Sequence, residues 1–71
     1  MKKLSAVISS PLDRENIVFE IWFEARQVAE VSHEPGCPIE IEIYPAPEGE
    51  AWKFDLDEFK AILEKAIINL K

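Results

Sequence analysis

The stretch PIEIEIYPAPEGEAW, residues 38–52, alternates isoleucine with glutamate or tyrosine and then enters a proline-rich segment. Successive side chains of a strand point to opposite faces, so this alternation predicts a strand with one apolar face and one acidic face. The inward set is Ile39, Ile41 and Ile43, expected in the layer under a helix, and the outward set is Glu40, Glu42 and Tyr44. The pattern leaves open whether the acidic face meets only water or a partner.

A second strand is predicted at IVFEIWFE, residues 17–24, because aromatic and β-branched residues alternate there. Its inward set is Ile17, Phe19, Ile21 and Phe23, and its outward set is Val18, Glu20, Trp22 and Glu24. The following ARQVAEVSH predicts a hairpin partner on which Glu30 shares a face with Val28 and Ser32. The turn lacks Asn-Gly chemistry, so the pattern does not fix the register.

The segment FDLDEFKAILEKAIINLK predicts a helix that begins after Asp55 as N-cap, with Glu58 completing a capping-box pair. Its apolar stripe comprises Leu56, Phe59, Ile62, Leu63, Ala66, Ile67 and Leu70. We therefore predict an α+β fold, a three-stranded antiparallel sheet (a meander) with one C-terminal helix packed on one face. Residues 1–16 are expected to form an N-terminal tail or short strand, and residues 17–71 a single sheet-plus-helix domain.

Charge and cysteine content restrict the function. The formal net charge of −6 disfavours nucleic acid and anionic membranes as partners, because phosphate binding needs clustered Lys and Arg. The acidity serves either solubility alone or attraction of a basic partner. A single cysteine favours a reducing compartment, and the N-terminal residues lack the features of a signal peptide, so a cytoplasmic protein is expected.

The residues that carry catalysis or bind metals are sparse. His33 and Cys37 are the only residues of their types, and together with Glu34 they make a poor metal set and an incomplete nucleophile pair. No phosphate-binding or nucleophile-elbow motif occurs. We therefore predict that the protein is not an enzyme and needs no cofactor or metal.

The outward face of the sheet is the candidate site. Trp and Tyr are enriched at interface hot spots, and carboxylates around them attract basic partners. In the alternative interpretation, the N-terminal segment or PAPEGEAW covers Trp22 and the glutamates only aid solubility. Trp52 is expected at the edge of the core. The predicted partner-binding residues are Glu20, Trp22, Glu24, Glu30, Glu40, Glu42 and Tyr44.

The chain also resembles a group of small, mostly uncharacterised bacterial proteins over residues 11–71. The resemblance lies in PLDREN (11–16), in AEVS (29–32), in Tyr44-Pro45 at a strand end and in Trp52 before the last helix. Such proteins look like the acidic immunity proteins of bacterial toxin systems, including contact-dependent inhibition. This resemblance implies a protein that binds and inhibits a toxin domain, and it supplies no catalytic residues.

Two functional hypotheses follow. In the first, the protein is an immunity or antitoxin-like inhibitor that covers a basic toxin domain, a nuclease among the candidates, through its acidic and aromatic surface. In the second, it is a structural or adaptor domain that can form a homodimer and has no inhibitory role.

Overall fold

The computed structural model describes residues 3–71 and has a four-stranded antiparallel sheet in the order β1-β2-β3-β4, followed by one helix. The elements are β1 (Leu4–Ser9), β2 (Val18–Phe23), β3 (Arg26–Ser32), β4 (Glu40–Ile43) and α1 (Leu56–Leu70). The predicted α+β class with a C-terminal helix is confirmed. Met1 and Lys2, which belong to the predicted N-terminal tail, lie outside the described residues.

The predicted number of three strands is wrong, because Leu4–Ser9 forms a further strand. This segment pairs with β2 along its whole length, from Leu4 opposite Phe23 to Ser9 opposite Val18. The physical reason is that β2 has two edges, and β3 occupies only one of them. The sequence leaves residues 1–16 open between a tail and a short strand, because the contacts that stabilise a strand come from its neighbours.

The core lies between the sheet and α1. Phe19 and Ile21 of β2 are almost completely buried, as the alternation in IVFEIWFE predicts, whereas Ile17 precedes the strand and is 42% exposed. The buried cluster on the helix side consists of Phe19, Ile21, Val28, Ala29, Val31, Ala66 and Leu70. Trp52 packs against this cluster, which confirms its expected place at the edge of the core.

Strand β4 does not lie under the helix. All four of its residues are exposed, and Ile41 and Ile43 retain 43% and 59% of their accessible surface. Helix α1 packs over β1 and β2, so it does not reach the outer strand on the other side. The expectation that Ile41 and Ile43 belong to the covered layer is therefore wrong, whereas Ile39, just before β4, packs against the core as expected.

The hairpin between β2 and β3 carries two irregularities. A register shift follows Ile21, which pairs with Ala29 while Trp22 pairs with Gln27, so Val28 is an extra residue. This bulge allows the consecutive residues Val28 and Ala29 both to be buried. The turn itself places Glu24 at φ 57°, a left-handed conformation that is unfavourable for residues other than glycine.

Helix α1 begins as the sequence predicts. The Asp55 carboxylate accepts a hydrogen bond from the Glu58 N–H at 2.9 Å, which satisfies one free donor of the first turn. Glu58 does not complete a capping box; its Oε1 accepts the N–H of Leu4 at 3.3 Å and thereby joins α1 to β1. Leu56, predicted in the apolar stripe, is 77% exposed. Within residues 3–71, no helix has both the length and the apolar character needed to cross a membrane.

Candidate protein-binding face

Three glutamates form a line across the sheet face that the helix leaves open. Glu20 of β2 pairs with Glu30 of β3, and Glu30 pairs with Glu42 of β4. Neighbouring strands lie about 4.8 Å apart, so the three side chains of this glutamate row span roughly 10 Å. Like charges directly opposite each other on adjacent strands are destabilising. The sheet therefore holds three carboxylates in an arrangement that favours a nearby cation.

Arg14 supplies one such cation to the middle of the glutamate row. Its Nη2 donates to Oε2 of Glu30 at 2.7 Å, and the two side chains are 28% and 13% exposed. The pair is therefore shielded from water more strongly than a surface ion pair. Glu20 and Glu42 flank this pair on either side.

Trp22 lies on the same face, two residues after Glu20. Its indole Nε1–H donates to Oε1 of Glu20 at 2.9 Å, and its neighbours across the ladder are Ser5 and Gln27. The side chain is half-buried, so part of the ring remains accessible. Because the hydrogen bond fixes the ring beside the carboxylate, an apolar surface and a negative charge lie next to each other.

Tyr44 closes the face on the β4 side. Partial burial raises the pKa of its hydroxyl above the ordinary value of 10.0, and the negative charges of Glu30, Glu42 and Glu20 raise it further, while Arg14 opposes them. The hydroxyl of Tyr44 therefore lies close enough to the glutamate row to feel the charges of all three carboxylates. Its backbone is fixed by two hydrogen bonds, from its own N–H to Val28 O at 2.8 Å and from Trp52 Nε1 to its carbonyl at 2.7 Å.

The loop between β1 and β2 positions Arg14. The N–H groups of Glu15 and Asn16 donate to the two carboxylate oxygens of Glu34, each at 3.0 Å, and the Asn16 side chain donates to the His33 carbonyl at 2.6 Å. Val18 is fully buried although it lies outside the helix-side cluster, so this end of the open face has a small core of its own. The PLDREN segment thus anchors the loop that carries the arginine.

The structure brings together five of the seven predicted partner-binding residues, namely Glu20, Trp22, Glu30, Glu42 and Tyr44. The other two lie at opposite ends of the sheet. Glu24 occupies the β2–β3 turn, whereas Glu40 is the first residue of β4, opposite Ser32 and on the same face as Glu42 but outside the glutamate row. We use the name acidic face for the five residues that come together, with Arg14.

Arg14 is the functional residue that the sequence interpretation missed. Its position in a turn-forming segment gives no sign of a contact with Glu30, sixteen residues away. The sequence indicates this contact only if β1 is recognised as a strand that pairs with β2. The segment that joins the two strands, which contains Arg14, then has to lie beside the sheet. The alternating glutamates together with a single arginine in that connection would then point to the pair.

The residues considered above for a metal site or a Cys–His pair, His33, Glu34 and Cys37, all lie in the β3–β4 loop. Within residues 3–71, no group of three or more His, Cys, Asp or Glu side chains is placed to hold a metal ion. His33 Nδ1 lies 2.8 Å from the Leu70 carbonyl at the end of α1, and Cys37 is exposed in the same β3–β4 loop as His33. A groove of about 650 Å³ beside His33 is lined by Asn16 and Glu34, whose side chains already anchor the β1–β2 loop.

Comparison of the chain with family models, with curated proteins and with solved structures gave no match.

Proposed function

We propose that the acidic face binds a basic surface of a protein partner, and that the protein acts as an immunity-type inhibitor of a basic toxin domain. The observation that supports this proposal is the glutamate row, in which three carboxylates line up across β2, β3 and β4 beside one arginine. The single cysteine is compatible with action in the cytoplasm.

The energetics of the glutamate row favour a cationic partner. Two unit charges about 5 Å apart repel each other by at most about 3 kcal/mol at an effective dielectric constant of about 20. Arg14 offsets this repulsion at Glu30, whereas within residues 3–71 no hydrogen bond or ion pair is made by the carboxylate of Glu42. A lysine or arginine from a partner, placed between Glu30 and Glu42 or beside Glu20, would relieve the rest. Binding of a basic partner therefore removes a repulsion between carboxylates that remains in the free protein.

The aromatic side chains add contact area to this charge pattern. Trp22 and Tyr44 are half-buried, so each presents part of its ring without having to rearrange. Trp and Tyr are enriched at interface hot spots, and an arginine or lysine from a partner can pack on the face of either ring. The acidic face therefore offers both apolar contact and electrostatic attraction to a basic partner.

The partner class follows from charge complementarity and from the resemblance described above. Nuclease sites are basic because they hold phosphate, so an acidic protein that covers such a site competes directly with the nucleic acid. Association between opposite charges is accelerated electrostatically, and this acceleration decreases as salt increases. Strong salt dependence of the association rate is therefore expected.

The test compares two variants that have equal net charge. E20Q/E42Q removes two carboxylates from the acidic face, and E48Q/E64Q removes two exposed carboxylates outside it. Wild type and both variants are immobilised to capture partners from the producing cells, and a captured basic protein is then purified. Its association with each variant is measured at low and high salt, together with inhibition of any nuclease activity.

The expected result is that E20Q/E42Q weakens binding at least tenfold and reduces its salt dependence, while E48Q/E64Q behaves nearly as wild type. Equal effects of the two variants would show that only net charge matters and would contradict the assignment of the acidic face. A partner that binds equally well at both salt concentrations would contradict the electrostatic mechanism. Binding without inhibition of the partner would contradict the inhibitory role alone.

A further inference from the structure

Strand β1 is an outer strand of the sheet and carries no charged side chain. The residues from Ser5 to Ile8 are all exposed, and Val7 and Ile8 retain 47% and 53% of their accessible surface. Outer strands present unpaired N–H and C=O groups, and proteins usually protect them with charges, prolines or bulges. The opposite outer strand has such protection, since β4 contains Glu40 and Glu42 and is flanked by prolines. Strand β1 lacks it.

We propose that a second copy of this chain pairs antiparallel with β1, about a two-fold axis, and joins two four-stranded sheets into one. Charge selects the edge, and a second copy supplies an uncharged strand that matches it. Two copies with a net charge of −6 repel each other over most of their surfaces, so they can approach closely only along an uncharged strip. Self-pairing of β4 would set Glu40 opposite Glu42 of the other copy, which is unfavourable.

The structure also specifies the register. The N–H of Leu4 donates to Glu58 of α1, which places the backbone groups of Leu4 on the unpaired side of β1. Backbone groups alternate along a strand, so Ala6 and Ile8 present their N–H and C=O groups to the same side. With the axis at Val7, Ala6 of each copy exchanges hydrogen bonds with Ile8 of the other, and the bond from Leu4 to Glu58 is retained. With the axis at Ala6, the N–H of Leu4 would have to donate to Ile8 of the other copy, but it already donates to Glu58.

The proposed dimer is expected to be weak and to become stronger as the salt concentration rises. Pairing of one short strand buries less than the roughly 1,200 Å² typical of stable interfaces, so the dissociation constant lies in the micromolar range or above. Salt screens the repulsion between two acidic copies and therefore strengthens the dimer. This sign is opposite to the effect of salt on binding of a basic partner, and the dimer does not depend on the proposed inhibitory function.

Sedimentation equilibrium from about 10 μM to about 1 mM tests the proposal. The wild-type mass is expected to rise toward twice the monomer mass with concentration, and further at high salt. V7K sets two lysines against each other across the axis, and Val7 is exposed enough in the monomer for lysine to remain in water. V7K is therefore expected to weaken the dimer at least tenfold, whereas the matched change I41K on β4 leaves it unchanged.

Disulfide formation tests the register and remains informative if V7K fails to fold. In a C37S background, V7C places two thiols at a non-hydrogen-bonded pair, where the Cα atoms lie about 4.5 Å apart and a disulfide fits. V7C is expected to form a covalent dimer faster than A6C or S5C. Faster cross-linking of A6C would overturn the register. A monomer at every concentration, or a dimer that resists V7K, would overturn the pairing through β1.

Discussion

Loss of the Arg14 guanidinium is expected to destabilise the protein through the carboxylate it leaves behind. R14Q keeps a polar side chain of similar length but removes the charge that lies 2.7 Å from Glu30. Glu30, only 13% exposed, would then lie between Glu20 and Glu42 without a counter-charge. Removing one partner of an ion pair costs more than the pair contributes, because the remaining charge stays poorly solvated.

The magnitude follows from the degree of burial. Breaking a fully buried ion pair costs about 3–5 kcal/mol, whereas exposed pairs contribute at most about 1 kcal/mol. Arg14 and Glu30 are 28% and 13% exposed, so we expect R14Q to lower the free energy of unfolding by about 2 kcal/mol. For a domain of this size, Tm would fall by about 8–16 °C. Since the total stability of such a chain is about 4–10 kcal/mol, this is a large fraction.

The assay is a double-mutant cycle in urea, followed by tryptophan fluorescence. The four proteins are wild type, R14Q, E30Q and R14Q/E30Q, and R26Q serves as control because Arg26 is an exposed arginine of β3. We expect R14Q/E30Q to be more stable than R14Q, because the double variant no longer holds a carboxylate without a partner. The control is expected to change stability by no more than about 0.5 kcal/mol.

Two results would refute the reasoning. If R14Q costs no more than R26Q, the contact between Arg14 and Glu30 does not stabilise the native state. If R14Q/E30Q is as unstable as the sum of the single variants predicts, the two side chains act independently. In either case, the glutamate row would need no counter-charge, and the energetic argument for a cationic partner would fail.

Three further predictions concern stability. D55A removes the acceptor of the Glu58 N–H and should cost about 1 kcal/mol by urea unfolding, with D57A costing less; equal costs would contradict the capping role. E24G should be more stable than E24A by up to about 1 kcal/mol, because both remove the side chain and only glycine adopts φ 57° without strain; equal stability would contradict a strained turn. The pKa of Tyr44 is raised in the native state by burial and neighbouring carboxylates, so the unfolded state loses its proton first, near pH 10. Stability should therefore fall as pH rises above about 10, and Y44F should reduce this fall; ultraviolet titration of the only tyrosine measures the native pKa, and an ordinary value would contradict the field of the glutamate row.

The sequence predicts well the parts of the fold that are determined by neighbouring residues in the chain, such as the alternation of a strand or the start of a helix. The alternation in IVFEIWFE places Phe19 and Ile21 in the core, and Asp55 at the start of a long apolar stripe predicts the beginning of α1. Glu20, Glu30 and Glu42 share a face because strand side chains alternate, and the register of both hairpins preserves that alternation at these positions.

The parts that the sequence does not predict depend on distant segments. Alternation assigns Ile41 and Ile43 to the helix side of the sheet, but it does not show how far α1 extends over that side. Glu58 fits a capping box locally, yet its carboxylate meets Leu4, fifty-four residues earlier, because β1 lies beside the helix. The contact of Arg14 with Glu30 likewise requires the β1–β2 pairing. In the last two cases, the deciding neighbour is β1, which the local sequence leaves open between a tail and a short strand.

The position of α1 after all four strands has a consequence for biosynthesis. The four strands are synthesised before α1, and until α1 has packed on the sheet, the side that holds Phe19 and Val31 has no cover. The nascent chain therefore passes through a stage in which apolar side chains and the unprotected outer strand are exposed together. We expect this stage, rather than the folded protein, to be the one that is prone to aggregation.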